Sequence, residues 1–312
     1  MSMNKRARIA LTVDVEGEWF ELPGEQGSFD VKRVIAAVQQ LELLLDSIES
    51  KIETPIPVTW FIRCDDSVAA TTGEASGLLH SLDKFIERRA AKGDEFGLHP
   101  HLYRCSEGKW IPEDVPALQM EQIERAAMGW QRFFGLTPRL TRMGEAVMNN
   151  TMAKCLDVLG VEIDSSALSS RKRFDNGFQF DWTNTPASPY HPSIEDYRRP
   201  ANGNESSHRF IEIPFTMLPI KGPQDKESVK RYCNLAFKAE LIQTAILSIE
   251  KPEFIVAVVH PHELFVNDHE HPLIAYDPTS IEKNITNLRY IFDNIDFRLL
   301  SASSHDVVNQ HQ

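Results

Sequence analysis

A chain of 312 residues has room for one large α/β domain or two ordinary ones, and a 42% hydrophobic, 25% charged composition excludes disordered and fibrous classes. A formal net charge of -12 argues against nucleic acid and strongly anionic surfaces as partners. No run approaches the ~20 apolar residues of a membrane span, and Cys64, Cys105, Cys155 and Cys233 lie far apart with no CxxC, so no disulfide framework is expected.

Taken in order, Met1–Arg8 is basic, but the apolar run behind it is short and broken by Asp14, which is not a signal peptide; a cytoplasmic protein is expected. The first strand is Arg8–Glu16. Its two terminal acids, Asp14 and Glu16, stand two residues apart and so leave one face, with Val13 and Val15 on the other. Gly17 ends it, and the following loop brings Trp19 and Phe20 beside the acids. Val34, Val38, Leu41, Leu45 and Ile48 form one apolar stripe, predicting a helix over 31–49. Val58–Ile62 reads as a strand, 78–91 as a helix closed by Lys92-Gly93, and Glu95–His99 as a short strand leading into Pro100-His101.

The alternation continues with a helix over 120–134, a strand at 139–142, a helix over 150–159 and a strand at 161–165. Residues 169–209 carry little periodicity, and an irregular stretch that long inside a compact domain is usually functional or mobile. Phe210–Pro214 resumes the sheet. Leu235, Ala239, Ile242, Ile246 and Ile249 predict a long helix over 228–250, followed by a buried strand at 254–259, a helix over 278–292 and a strand at 297–300. About seven near-continuously apolar strands alternating with helices imply a parallel sheet with helices outside. With no repeat and no linker, the expected organisation is a single (β/α) barrel domain over 1–312 with an irregular insertion at about 169–209.

The polar residues that terminate strands are the candidate site: Asp14 and Glu16, His99 and His101, Arg142, Asp164, and His260 and His262. Acids and histidines gathered at one rim match where barrel enzymes keep their chemistry. Two imidazoles, one carboxylate and an open position describe a catalytic zinc site, at which a bound water reaches a pKa near ~7. Each position also has a plain alternative. His101 could be a hydrogen-bonded loop residue, Arg142 a structural ion pair, and Asp164 a cap. The Asp268-His269-Glu270-His271 run terminates no strand and reads as a solvated loop.

Thr12–Glu16, Glu95–His99, Thr141-Arg142-Met143-Gly144 with Asn149 beyond, and Val258–Leu264 resemble, in that order, the motifs of polysaccharide deacetylases of the NodB-homology type, carbohydrate esterase family 4. The likeness runs from about residue 8 to 302. It implies an irregular (β/α)7 barrel and a divalent metal, commonly zinc, used to hydrolyse acetyl groups on glycans. By that resemblance Asp14 is the catalytic base, His260 the catalytic acid, Glu16 and His99 metal ligands, and Arg142 the partner that keeps Asp14 ionised. The chain departs from the family pattern in three places. Val15 separates the two acids. The residue four after His99, where the second histidine is usual, is Tyr103. Arg142 runs into Met143-Gly144 instead of towards proline and an aromatic.

The resemblance therefore implies a metal-dependent deacetylase acting on an acetamido sugar or polysaccharide precursor. Glu16, His99 and His101 are the expected ligands, His101 rather than Tyr103 because neutral imidazole binds zinc where a phenol of pKa near ~10 does not. Trp182 is the expected groove residue, with Tyr103 and Trp19 as further aromatic substrate contacts, while Phe178 and Phe180 read as loop anchors. Two alternatives are a non-catalytic glycan-binding member of the same fold and a non-haem iron oxygenase, which also uses two histidines and a carboxylate.

Overall fold

The computed structural model describes residues 7–17, 30–175, 178–250, 252, 254–264, 271–292 and 295–302. Its strands are β1 (Ala7–Val15), β2 (Val58–Ile62), β3 (Glu95–Leu98), β4 (Tyr103–Ser106), β5 (Lys109–Pro112), β6 (Leu140–Thr141), β7 (Ile163–Asp164), β8 (Lys172–Asp175), β9 (Phe178–Asp181), β10 (Ile211–Glu212), β11 (Met217–Ile220), β12 (Val229–Asn234), β13 (Phe254–Val259) and β14 (Ile295–Phe297). The helices are α1 (Val31–Ile52), α2 (Asp66–Thr72), α3 (Gly77–Ser81), α4 (Asp83–Ala91), α5 (Pro116–Phe134), α6 (Asn150–Leu159), α7 (Ala239–Ser248) and α8 (Pro278–Ile291).

The main sheet runs β10-β7-β6-β3-β2-β1-β13-β12-β11, with β14 beside the start of β1. From β10 to β13 every neighbouring pair is parallel, and β11–β12 adds an antiparallel edge. The sheet curls into an open (β/α) barrel, the expected architecture, and the antiparallel double-stranded barrel of an iron oxygenase does not form. The period of two along each strand builds two distinct cores. Ile9, Leu11, Val13 and Val15 point outward and pack with Val34, Val38 and Leu41 of α1 and with Trp60. Ala10 faces the inside of the curl with Phe61, Leu140, Ile163, Phe215, Val256 and Val258. Asp14 continues the inner face, so the acid is carried into the barrel mouth by the same alternation that builds the core.

Helix starts follow from the caps that the sequence supplies. Asp30 accepts from the Lys32 and Arg33 amides at α1, Asp65 from Ser67 and Val68 at α2, and Asn149 from Met152 at α6. Asn149 is thus a helix cap.

Three expectations are corrected. The helix over 228–250 is a helix only from Ala239; Val229–Asn234 is β12, because Cys233 and Asn234 pair with Ala257 and Val258 of β13 while Met217–Ile220 pairs along its other edge. The helix over 78–91 is α3 and α4, separated at Leu82. Residues 169–209 are less irregular than their composition: β8 and β9 form a hairpin there, and ion pairs from Arg198 to Asp181 and from Arg199 to Glu205 tie the rest.

Candidate active site

At the C-terminal ends of β1, β3 and β13 lies a cavity of about 210 Å³ whose walls include Asp14, Glu16, His99, His101 and His260. One donor atom each from Glu16, His99 and His101 lies within 4.8 Å of the others. Glu16 Oε2 is 2.8 Å from His101 Nε2 and 3.4 Å from His99 Nε2, and the two Nε2 atoms are 3.3 Å apart. Bonds of about 2.0–2.1 Å to a tetrahedral zinc would set donors about 3.3–3.4 Å apart, so this triad fits a zinc ion with little adjustment at His101–Glu16.

The surroundings fix which ring atoms face the cluster. His99 Nδ1 donates to the Arg142 carbonyl at 2.7 Å, leaving its Nε2 lone pair towards Glu16. The His101 amide donates to Asp65 at 3.2 Å, and its Nδ1 lies 3.4 Å from the Tyr103 hydroxyl. Burial first, then the charge of Arg63, pushes His101 down to about 4, so its imidazole is neutral and ligand-ready at pH 7. Burial works against an ionised Glu16, but its close contacts with His101 and His99 and the charge of His260 hold it well below the usual carboxylate range.

Arg142 is 1% exposed, yet every face of it is engaged. Its guanidinium donates to Asp14 Oδ1 at 2.5 Å, to Thr12 at 2.9 Å and to the Ser165 carbonyl and hydroxyl at 2.9 and 3.0 Å. Phe61 and Phe215 each place a ring centroid 4.2 Å from its central carbon. Gly97 makes this stack possible, because a Cβ there would lie 2.6 Å from the Phe61 ring.

His260 arrives from β13. Its Nε2 is 3.5 Å from Glu16 and 3.8 Å from Asp14, and its Nδ1 is 3.3 Å from buried Glu263. Burial disfavours its charged form, but Glu263, Glu16 and Asp14 outweigh that and push it up to about 10. In that setting the imidazole holds its proton at pH 7 and has no lone pair to offer a metal. Behind Arg142, Asp164 and Glu212 form a buried carboxyl pair. Burial and then the charge of Asp164 push Glu212 well above the usual carboxylate range.

The structure thus brings together Asp14, Glu16, His99, His101, Arg142 and His260, with Tyr103 in the same wall. Trp182 is a correction. It is 1% exposed, donates from Nε1 to the Ala146 carbonyl at 2.9 Å and packs edge-on against Tyr197, so it is a core anchor outside the cavity. Phe180, read as an anchor, is buried in the same core cluster as Trp182 and also lines the cavity. Trp19, with Asp268, His269 and Glu270, lies outside the described residues. Glu145, Glu212 and Glu263 were not predicted. Glu263 follows the His260-Pro261-His262 motif by one residue and was open to notice. The other two occupy positions that only the tertiary fold brings near.

No protein-family model matches this chain, and no curated protein matches it. Its fold does match solved structures. A protein from Mycobacterium smegmatis assigned as a polysaccharide deacetylase aligns with TM-score 0.53 and 16% identity, over 100% of this chain and 93% of that one. A protein from Parabacteroides distasonis assigned as a glycoside hydrolase/deacetylase aligns with TM-score 0.60 and 11% identity, over 95% and 70%. No helix among the described residues is long and apolar enough to cross a membrane. Across nearly its whole length, then, this chain has the fold of the polysaccharide deacetylases.

Proposed function

We propose that the chain is a divergent member of that family, a metal-dependent deacylase that removes an acetyl group from an acetylated sugar or polysaccharide precursor. The observation that carries this reading is the convergence of the Glu16, His99 and His101 donors in the cavity that also holds Asp14 and His260. Glu16, His99 and His101 would hold a divalent ion, zinc by its donor set, which supplies a bound water of lowered pKa and a polarised carbonyl. Asp14, ion-paired with Arg142, takes a proton from the attacking water. His260 arrives protonated and gives its proton to the departing amine or alcohol. Glu263 keeps the imidazole in place through its contacts to His260 and to Asn234.

The test is acetate release from an N-acetylated chito-oligosaccharide and from acetylated xylan by protein loaded with one equivalent of zinc. Acetate released by the loaded protein and abolished by a chelator supports the reading. A zinc-loaded protein that binds both glycans and releases no acetate overturns it in favour of a glycan-binding member of the fold.

A further inference from the structure

None of the steps above uses Glu145. It sits on the turn between β6 and α6, where Glu145 and Ala146 both have left-handed backbone, φ 54° and 55°. Residues with a Cβ seldom adopt that region, and glycine is its usual occupant. The turn holds this shape because the Trp182 indole fixes the Ala146 carbonyl from behind and Gly144 donates to the Pro100 carbonyl at 3.0 Å.

The turn places Glu145 in the wall of two cavities at once. One is the donor cavity; the other is a neighbour of about 260 Å³, and Tyr103 and Phe180 share the boundary with Glu145. Within that boundary Glu145 Oε1 is 3.4 Å from the Tyr103 hydroxyl, and Oε2 is 3.6 Å from Arg173 Nη1. Good bonds of these two kinds measure about 2.5–3.0 Å and 2.7–2.9 Å, so both oxygens keep acceptor capacity. Besides apolar and amide side chains, the second cavity is lined by Glu113, Asp114 and Asp181 and the rings of Tyr197 and Phe174; Arg104 and Arg198, paired to Glu113 and Asp181, are not among its lining residues, and no lysine or arginine is. Arg142, the arginine lining the first cavity, is sealed between Phe61 and Phe215. Carboxylate oxygens beside aromatic faces suit the hydroxyls and ring carbons of a neutral sugar, and a phosphate in the same place would meet like charge.

Resting on the deacylase reading, we propose that Glu145 is a specificity-determining residue. Its carboxylate accepts a hydroxyl hydrogen bond from the sugar unit at the boundary of the two cavities and rejects substrates carrying a phosphate there.

The experiment compares kcat/KM of the zinc-loaded full chain on two substrates: an acetylated disaccharide, and the same disaccharide with a phosphate monoester on the unit next to the acetylated one. The native chain should prefer the neutral substrate by about tenfold or more at low salt. Glu145→Gln should bring the ratio close to one by losing rate on the neutral substrate and gaining on the phosphorylated one. Glu145→Gly, which suits the left-handed backbone, should do the same. A purely structural role would lower both rates together and leave the ratio unchanged, and that result, or a native chain without preference, overturns the proposal. If neither disaccharide is hydrolysed, the deacylase reading fails. Calorimetric binding of the same two sugars to the native chain and the Glu145 variants then decides the discrimination separately.

Discussion

Gly144→Ala tests the proposed metal site through a residue that is not one of its ligands. A Cβ at position 144 would lie 2.3, 2.5 and 2.7 Å from Cδ2, Cγ and Nε2 of His101. Ordinary carbon contacts are about 3.5–4.0 Å, so the ring must retreat by roughly 1 Å. The backbone gives little relief, since the His101 amide is held by Asp65 at 3.2 Å and the Pro100 carbonyl by Gly144 at 3.0 Å. Gly144 is not among the glycines with left-handed φ, so alanine strains nothing else and the effect falls on the ring. Metal–ligand lengths hold to about 0.2 Å, and a shift of roughly 1 Å removes the ligand. The expected loss in zinc affinity is about 100-fold or more, near 2.7 kcal/mol. Competition titration with a chromophoric chelator at fixed pH measures it, with melting of the metal-free proteins as the control for folding. An affinity within about threefold of the native value would refute the steric reasoning. His101→Ala then shows whether the ring relocates or was never a ligand.

His260→Ala should lower kcat by roughly 10²–10⁴ on an acetamido sugar and by much less on an ester with a good leaving group; equal losses in steady-state assays of both would refute the acid role. Trp182→Ala should cost about 3–5 kcal/mol in thermal denaturation, with a smaller effect on KM, because a buried anchor is removed. Glu212→Gln addresses the buried carboxyl pair. A group whose folded pKa is raised contributes stability that is complete below its unfolded value and is lost as pH rises through the folded one. Burial and Asp164 raise Glu212, so melting curves should show Glu212→Gln gaining on the native chain as pH rises above the ordinary glutamate range. A pH-independent difference would refute the raised pKa of Glu212.

Much of this site was legible because strand alternation is local physics. Asp14 and Glu16 had to share a face whatever the fold, and so did His99 and His101 if the segment between them was extended. The parallel sheet followed from strands that are apolar on both faces. What was not legible depends on partners distant in sequence. The spacing of Leu235, Ala239, Ile242, Ile246 and Ile249 is helical, but β13 and β11 bracket Val229–Asn234 and their pairing decides that segment. Trp182 offered an aromatic face that suits a sugar, and only the fold shows the Ala146 carbonyl that draws its indole inward. Glu145 left no sequence signal, since nothing in Arg142-Met143-Gly144-Glu145 announces a left-handed turn at a glutamate.

The departures from the family's motifs make physical sense as one linked change. An extended His99-Pro100-His101 presents both rings on one side, with centroids 5.0 Å apart and planes at 87°, where the usual spacing would take the second imidazole from position 103. Bringing the second ring that close to β3 pushes it against the loop after Arg142, and any side chain at 144 would occupy the same space. Glycine in place of a bulkier residue is therefore the condition for histidine two residues on, and Tyr103 is free to stand behind His101 as a hydrogen-bonding neighbour. With the loop after Arg142 released from its usual sequence, the position beyond Gly144 can place a carboxylate in the cavity wall. Restoring one element of the family pattern alone, by Gly144→Phe or by Tyr103→His with His101 retained, should crowd the site. A double change that moves the histidine to 103 and removes the ring at 101 should tolerate a side chain at 144 that the native chain cannot. Zinc titration of the Gly144→Ala substitution in both backgrounds measures that coupling, and equal losses in the two would show the departures to be independent.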